Sequence, residues 1–220
     1  MKKTLPLLTT LAAALLSMGA AQAGLMQMGN SLSYEDTYGP ASTDWTKPGQ
    51  ALTLQKFNPL LGTLNAITFN WRGSLGSGFS AYNAGDEASL VDYTASGSMQ
   101  FNFPQFSMAE IVFGPQSGSG SVNAGGTTSW SIDLTGSGSR EYANLADFIG
   151  SGNFYVMVLA NSDSSMSEDS GNVDLTIRTA ASAYAQVTYD YTANAVPEPG
   201  SLALLGLALA AAGIASRRRA

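Results

Sequence analysis

The chain has 220 residues, with 10 Lys and Arg, 16 Asp and Glu, and neither cysteine nor histidine. Without these two residue types it cannot form a Ser-His-Asp triad, a Cys-His pair, a zinc site with imidazole or thiolate ligands, or a histidine-ligated haem. Disulfides are excluded as well, so the fold of a chain with this composition is held by packing and backbone hydrogen bonds.

The first 23 residues have the pattern of a signal peptide. Two lysines at positions 2–3 precede a mostly apolar run at residues 5–16, and Ala21, Ala23 and Gly24 form a small-residue cleavage site for signal peptidase. An uncleaved anchor is the alternative, but the apolar run is short and is interrupted by a proline and two threonines. We therefore expect the mature protein to begin at Gly24.

The body that follows is acidic. Residues 24–195 contain 5 Lys and Arg against 15 Asp and Glu, a net charge of −10. Five scattered cations do not form a basic face, which argues against nucleic acid as a partner and against adhesion to anionic lipid by charge. About 172 residues are enough for one domain with a substantial core.

Alternation of apolar and polar residues predicts that this body is all-β. A period of two is typical of strands with one buried face. The clearest such segments are residues 67–72, 98–103, 130–134, 173–178 and 185–191, and shorter strands are indicated at 51–57, 89–93 and 110–113. We predict a single antiparallel β-sandwich or jelly-roll-like domain over residues 24–192.

Residues 154–160 are apolar throughout, which favours a central strand covered on both faces, although a short buried helix has a similar pattern. Residues 145–149 are compatible with one helical turn. Runs rich in glycine and serine separate the predicted strands and are expected to be loops. They lie at residues 73–80, 117–121, 136–139 and 162–171.

Residues 57–69, Phe-Asn-Pro-Leu-Leu-Gly-Thr-Leu-Asn-Ala-Ile-Thr-Phe, resemble the signature of the choice-of-anchor E family, with Asn58 where Asp is usual. Residues 145–153 resemble the family's glycine-containing step into a late strand, and the resemblance extends over residues 45–191. It implies an exported β-rich module with no assigned reaction and no catalytic residue. The first motif also has a structural interpretation, because Pro59 presets a turn, Asn58 can cap it and Gly62 can end it in a left-handed conformation.

Carboxylates are the catalytic groups that the composition leaves open. A glycosidase needs two of them facing one cleft. Neighbouring acids on a strand point to opposite faces and are usually solvated, so a glycan hydrolase is a minor alternative. The acids considered are Glu35, Asp36, Asp86, Glu87, Glu110 and Glu141.

Oxygen-bearing residues also concentrate between positions 163 and 174, where Asp163, Glu168, Asp169 and Asp174 are weak candidates for calcium. The EF-hand pattern fails, since position 6 is not glycine and position 12 is not glutamate. A solvated acidic loop is the favoured interpretation, and we predict no metal and no cofactor.

Three rings near the start of the body are candidates for contact with a sugar. Trp45, Tyr34 and Tyr38 lie in a stretch with Gly, Pro and Asp, whereas Trp71 and Trp130 alternate strictly and belong to the predicted core. A strand at the edge of the sandwich would bury the first three rings too, and that interpretation is the stronger one.

The C-terminal segment combines an extended motif, an apolar run and three cations. Pro197 and Pro199 keep the backbone from continuing a helix, which leaves it open to a processing enzyme. The apolar run at residues 202–215 is shorter than a comfortable bilayer span but is closed by cations that stay in the cytoplasm. The motif residues are Val196, Pro197, Glu198 and Pro199, and the cations are Arg217, Arg218 and Arg219.

This arrangement resembles the PEP-CTERM sorting signal of Gram-negative bacteria. It implies that an exosortase, a membrane-embedded transpeptidase, cuts at the motif, after a transient stage at the inner membrane, and sends the body to the cell surface or extracellular matrix. A plain membrane anchor is the alternative and leaves the proline-flanked glutamate unexplained. The sequence predicts a structural or adhesive surface protein rather than an enzyme, with a polysaccharide-binding module of the exopolymer matrix as the first alternative.

Overall fold

The computed structural model describes residues 29–104 and 108–194, and these residues form a sandwich of two antiparallel sheets. The prediction of an all-β sandwich is confirmed. One turn of 3-10 helix at Ala146–Phe148 precedes the seventh strand, as the sequence indicated. The strands are β1 (Gly29–Ser42), β2 (Trp45–Gln55), β3 (Gly62–Asn83), β4 (Ser89–Asn102), β5 (Ala109–Val122), β6 (Thr127–Tyr142), β7 (Asn153–Ser162), β8 (Ser165–Glu168) and β9 (Val173–Ala193).

The strands pair as nested antiparallel partners. β1 pairs with β9, β2 with β7, β3 with β6 and β4 with β5. Contacts of β9 with β3 and of β7 with β4 then join these pairs into two sheets, in the orders β1-β9-β3-β6 and β2-β7-β4-β5. Short β8 runs beside the first half of β4. Eight strands folded as one rolled-up hairpin make a jelly roll.

The core lies between the sheets and is rich in aromatic rings. Phe69 of β3 is 5.0 Å from Phe103, 5.3 Å from Phe148 and 6.0 Å from Phe154, measured between ring centroids. Tilted and edge-on pairs of this kind add to the stabilisation that burial alone provides. The hydroxyl of buried Tyr189 on β9 donates to the carbonyl oxygen of Gln55 on β2 at 2.7 Å, a hydrogen bond between the two sheets.

Three glycine-rich runs that were expected to be loops lie inside strands, and that expectation is wrong. Residues 73–80 belong to β3, 117–121 to β5 and 136–139 to β6. Some of these glycines face rings: a Cβ at Gly138 would be 2.5 Å from the Trp71 indole, and one at Gly118 would be 2.6 Å from the Tyr93 ring. Because Gly138 and Gly118 each sit opposite their ring in the register, the missing side chain makes room for the aromatic group.

Two further expectations need correction. Strand β7 is fully buried on one face only: Val156 and Val158 are buried, whereas Tyr155, which lies between them along the strand, is 56% exposed. The segment 162–171, expected to be a loop, includes β8. The shorter strands predicted around residues 51–57, 89–93 and 110–113 are confirmed as parts of β2, β4 and β5.

The turn predicted after residue 57 is confirmed. The Leu61 amide donates to the Asn58 carbonyl at 3.1 Å, and the Asn58 side chain caps the turn by accepting from the Leu60 amide at 3.0 Å. Gly62 has φ 157° rather than the expected left-handed conformation. Glycine is needed there because a Cβ would overlap the Thr192 carbonyl oxygen on β9.

Both predicted targeting segments fall outside the described residues. These are the signal peptide at residues 1–23 and the apolar run at residues 202–215. Within residues 29–104 and 108–194, no helix has the length and apolar character needed to cross a membrane.

Candidate functional site: the outer groove of the β1-β9-β3-β6 sheet

The outer face of the β1-β9-β3-β6 sheet is polar because the strands alternate strictly. On β9, Ala185, Val187 and Tyr189 point into the core, and Tyr184 and Gln186 lie on the opposite face. The sequence showed both halves of this alternation. It did not show which strands stand side by side.

Register brings polar residues of four strands into continuous rows. Thr37, Tyr184, Arg72 and Ser137 occupy one row, on β1, β9, β3 and β6 in turn. Adjacent positions along the strands form two further rows. On one side lie Glu35, Gln186, Asn70 and Ser139, and on the other lie Ser182, Ser74 and Thr135.

A groove forms where the large side chains meet the row of short hydroxyls. It has a volume of about 650 Å³ and reaches from the β1 segment at Gly39 and Pro40 across to β6. Tyr184 and Arg72 stand beside Ser74 and Ser182, whose hydroxyls are hydrogen-bonded at 2.6 Å. This volume is typical of small-molecule sites.

Tyr184 connects the charged groups of this face. Its hydroxyl donates to Glu35 Oε2 at 2.6 Å, and the Arg72 guanidinium carbon lies 5.4 Å from the centre of its ring. Burial, and then the hydrogen bond and charge of Glu35, raise the pKa of the Tyr184 hydroxyl. Tyr184 is therefore a neutral donor at ordinary pH and is not activated as a nucleophile.

The residues that line the groove include one cation and no carboxylate. Arg72 is the charged member, and Glu35 lies in the next row, where the amide of Gln186 also approaches it at 3.4 Å. Hydroxyls, an exposed guanidinium and a ring can bind a polar ligand. A pair of facing acids, which glycoside hydrolysis needs, is not present among these lining residues.

The other acids considered for catalysis lie apart. Asp36 accepts from the backbone amides of Thr37 and Thr53 at 2.8 and 2.7 Å, and so joins β1 to β2. Glu110 on β5 accepts from Gln100 at 3.2 Å. Asp86 and Glu87 are in the turn between β3 and β4, and Glu141 pairs in register with Thr68.

The three rings considered for contact with a sugar pack against other groups of the protein. Trp45 is 5% exposed, its indole N–H donates to the Ser42 carbonyl at 2.7 Å, and Tyr38 packs edge-on against it at 4.9 Å. Tyr34 packs against buried Tyr189 at 6.2 Å. Burial of these rings by strands at the edge of the sandwich, the interpretation that the sequence favoured, agrees with this packing, because β1 and β2 lie at the edges of the two sheets. Trp71 is buried as predicted, and Trp130 is half-buried, stacked on Tyr93 at 5.2 Å.

The four acids weighed for calcium do not come together as ligands. Asp169 accepts from the Ser89 hydroxyl at 2.8 Å and the Leu90 amide at 3.0 Å, and these bonds lower its pKa. Glu168 accepts from the Ser170 and Gly171 amides, both at 2.6 Å. Asp163 lies at the end of β7 and Asp174 on β9; across residues 29–104 and 108–194, no group of three or more acids is placed to hold a metal ion.

The predicted processing residues lie outside the described part of the chain. They are the signal peptidase residues Ala21, Ala23 and Gly24, the motif residues Val196, Pro197, Glu198 and Pro199, and the cations Arg217, Arg218 and Arg219.

A protein-family model for the PEP-CTERM protein-sorting motif matches residues 195–219. This match covers the motif, the apolar run and the arginines predicted from the sequence. The motif implies an exported protein that passes through a membrane-anchored stage and is processed by an exosortase. No curated protein matches the chain.

Among solved structures, likenesses are distant. An infectious bursal disease virus particle protein is 10% identical, with 82% of this chain and 46% of that one covered and a TM-score of 0.18. A family two carbohydrate esterase from Cellvibrio japonicus is 9% identical over 78% of this chain and 38% of its own, with a TM-score of 0.17. The Eiger TNF of S. frugiperda is 7% identical over 77% and 92%, with a TM-score of 0.19. This chain spans less than half of the first two, and likenesses this weak carry no functional argument.

Proposed function

We propose that this protein is a structural or adhesive component of the cell surface or extracellular matrix, delivered there by exosortase processing. The sorting motif at residues 195–219 is the observation that carries the proposal. A body with a net charge of −10 and no thiol is suited to a soluble existence outside the cell.

The proposed processing divides the chain into three parts. Signal peptidase removes residues 1–23, the jelly-roll body occupies residues 24–192, and residues 193–220 form the sorting segment. During sorting the apolar run holds the chain at the inner membrane and the three terminal arginines stay in the cytoplasm. The exosortase then cuts at Val196–Pro199. The body, on this proposal, is a module of the choice-of-anchor E kind.

A passive role fits the chemistry of the body better than catalysis does. The chain has no histidine or cysteine, the groove residues include no acid, and Tyr184 has a raised pKa. A carboxylate-dependent glycan hydrolase therefore has no pair of acids in the groove to support it.

Fractionation of the cells, followed by mass spectrometry of the C-terminus, tests this proposal. Surface or matrix protein from normal cells is expected to end near Val196–Pro199, and cells without their exosortase are expected to retain Arg219 in the membrane fraction. A variant with Glu198→Gln and alanines at both flanking prolines should accumulate uncut, whereas Glu87→Gln, a body acid, should be processed normally. Intact Arg219 on surface protein from normal cells would refute the proposal.

A second candidate function is polysaccharide binding within the exopolymer matrix. The groove beside Tyr184 and Arg72 supports it, since its hydroxyls and its guanidinium can bind sugars through hydrogen bonds. The buried ring of Trp45 has no part in it, whereas half-buried Tyr38 is one of the residues that line the groove.

A further inference from the structure

We propose that the groove on the outer face of the β1-β9-β3-β6 sheet binds an acidic polysaccharide, with Arg72 holding the carboxylate of a uronic acid residue. The proposal rests on the second candidate function above and gives it a ligand class and a site. It starts from the state of Arg72, the charged residue of the groove.

The Arg72 side chain is exposed, and the N–H groups of its guanidinium are available to a ligand. Within the described residues its guanidinium contacts the ring of Tyr184, at 5.4 Å from carbon to centroid, and forms no ion pair or hydrogen bond. A guanidinium stacked on a ring keeps its in-plane N–H groups available, and their fork matches both oxygens of a carboxylate. Tyr184 therefore orients Arg72 without occupying its donors.

Local charge favours an anion although the body as a whole is acidic. No acid lines the groove. Glu35, in the row on one side, accepts hydrogen bonds from Tyr184 and Gln186, and Asp133, in register with Gly76, lies in the row beyond Ser74 on the other side. Repulsion from the other acids of the body is screened beyond about 8 Å at physiological ionic strength. For a ligand carboxylate in the groove, attraction by the Arg72 guanidinium at close range therefore outweighs the screened repulsion from the more distant acids.

The remaining lining groups suit a sugar rather than a small inorganic anion. Ser74 and Ser182 lie on the floor, and Thr37, Thr135 and Ser137 surround Arg72 in the adjoining positions. Each hydroxyl can both donate and accept, as a sugar hydroxyl can. A cavity of about 650 Å³ is far larger than a lone carboxylate needs.

Titration calorimetry on the full chain in a non-ionic detergent tests this assignment, with polygalacturonate as the probe and dextran and polyglutamate as comparisons. We expect heat with polygalacturonate, and little with neutral dextran or with polyglutamate, which has carboxylates but no sugar. Equal binding of dextran would overturn the uronate assignment, and equal binding of polyglutamate would overturn the sugar. The absence of binding to polygalacturonate would overturn the inference altogether.

Matched variants locate the site. Arg72→Gln should weaken polygalacturonate binding about tenfold or more, since it removes a charge-assisted bidentate contact. Arg178→Gln is the control: it removes an exposed arginine six residues from Tyr184 along β9, about 20 Å away. Glu35→Gln should tighten binding by removing a neighbouring negative charge. Equal losses in Arg72→Gln and Arg178→Gln would mean that charge alone attracts the polymer, which would refute the groove as the site.

Failure here is separable from failure of the proposed export. Protein with a C-terminus cut near Val196–Pro199 that does not bind polygalacturonate would disprove the acidic-glycan site and leave the surface role standing. Binding by an uncut protein retained in the membrane would do the reverse.

Discussion

The backbone of Phe57 forms a parallel bridge with that of Ile149, which connects the turn after β2 to the 3-10 turn before β7. The Phe57 amide donates to the Phe148 carbonyl at 2.8 Å, and its own carbonyl accepts from the Gly150 amide at 2.9 Å. The two segments that the sequence singled out as motifs, residues 57–69 and 145–153, are therefore neighbours. Their common feature is the closure of one end of the sandwich.

Removal of the Phe57 ring should destabilise the fold strongly. The ring is fully buried and lies 5.7 Å from Tyr189 and 5.2 Å from Tyr191. We expect Phe57→Ala to lower the free energy of unfolding by about 3–5 kcal/mol, measured in urea by tryptophan fluorescence. Leu60→Ala, in the same turn but 82% exposed, should change it by less than about 0.5 kcal/mol. A similar loss in both variants would argue against the packed position of Phe57.

Glycines in strands should respond to alanine in opposite directions, according to what faces them. A Cβ at Gly138 would meet the rigid Trp71 indole at 2.5 Å, so Gly138→Ala should cost about 1–3 kcal/mol of stability. At Gly78 the nearest atom is 3.7 Å away, and Gly78→Ala should stabilise the protein by about 0.5–1 kcal/mol. The same urea experiment compares them. Equal effects would show that glycine in these strands is not there to make room for a ring.

Strand existence was predictable from the sequence, but strand extent was not. Alternation around Phe69 and Trp71 marked the centre of β3, yet the strand continues through residues 73–80, whose glycines and serines are typical of loops. Composition alone did not show that Gly73 and Gly138 face large side chains, because those partners come from other strands. These partners can be identified only once the pairing and packing of the strands are known.

The same limit applies to the candidate site: periodicity shows on which face of a strand a residue lies, but not which residues of other strands are near it. Arg72 and Gln186 were both recognisable as outward-facing residues of their strands. Their proximity to Glu35 depends on β9 lying between β1 and β3, a sheet order that periodicity does not contain. Burial of Trp45 was the interpretation that its sequence favoured, but its edge-on contact with Tyr38 follows only from the arrangement of β1 and β2.

Asp169 should contribute to resistance against acid. Its hydrogen bonds from the Ser89 hydroxyl and the Leu90 amide lower the pKa of its carboxyl below the ordinary 3.8. A lowered pKa stabilises the fold above the unfolded-state value, and the contribution is lost as the pH falls through the folded-state value. Asp169→Asn should therefore lower the urea midpoint at neutral pH, with a smaller difference from the parent at about pH 3.

Asp174→Asn, an exposed acid on β9, is the control for that experiment and should leave both midpoints near those of the parent. A deficit in Asp169→Asn that is the same at both pH values would contradict a role for the ionised carboxylate.

Tyr189 should make the fold sensitive to alkali. Burial, with a smaller effect of Tyr34, raises the pKa of its hydroxyl well above the ordinary value of 10.0. In the unfolded chain the hydroxyl ionises near that ordinary value, so stability is complete below about pH 10 and falls above it by up to about 1.4 kcal/mol per pH unit. Tyr184, whose pKa is also raised, contributes a second such loss. Tyr189→Phe should remove one of these two losses, so that the free energy of unfolding declines less steeply above pH 10.

At neutral pH the same variant should be less stable than the parent by about 1–3 kcal/mol, since the Gln55 carbonyl loses the hydroxyl that donates to it between the sheets. Urea unfolding at a series of pH values measures both effects, with Tyr155→Phe, which removes an exposed hydroxyl, expected to behave as the parent does. An unchanged alkaline slope in Tyr189→Phe would mean that the buried hydroxyl does not stay protonated across the interval in which the unfolded chain ionises.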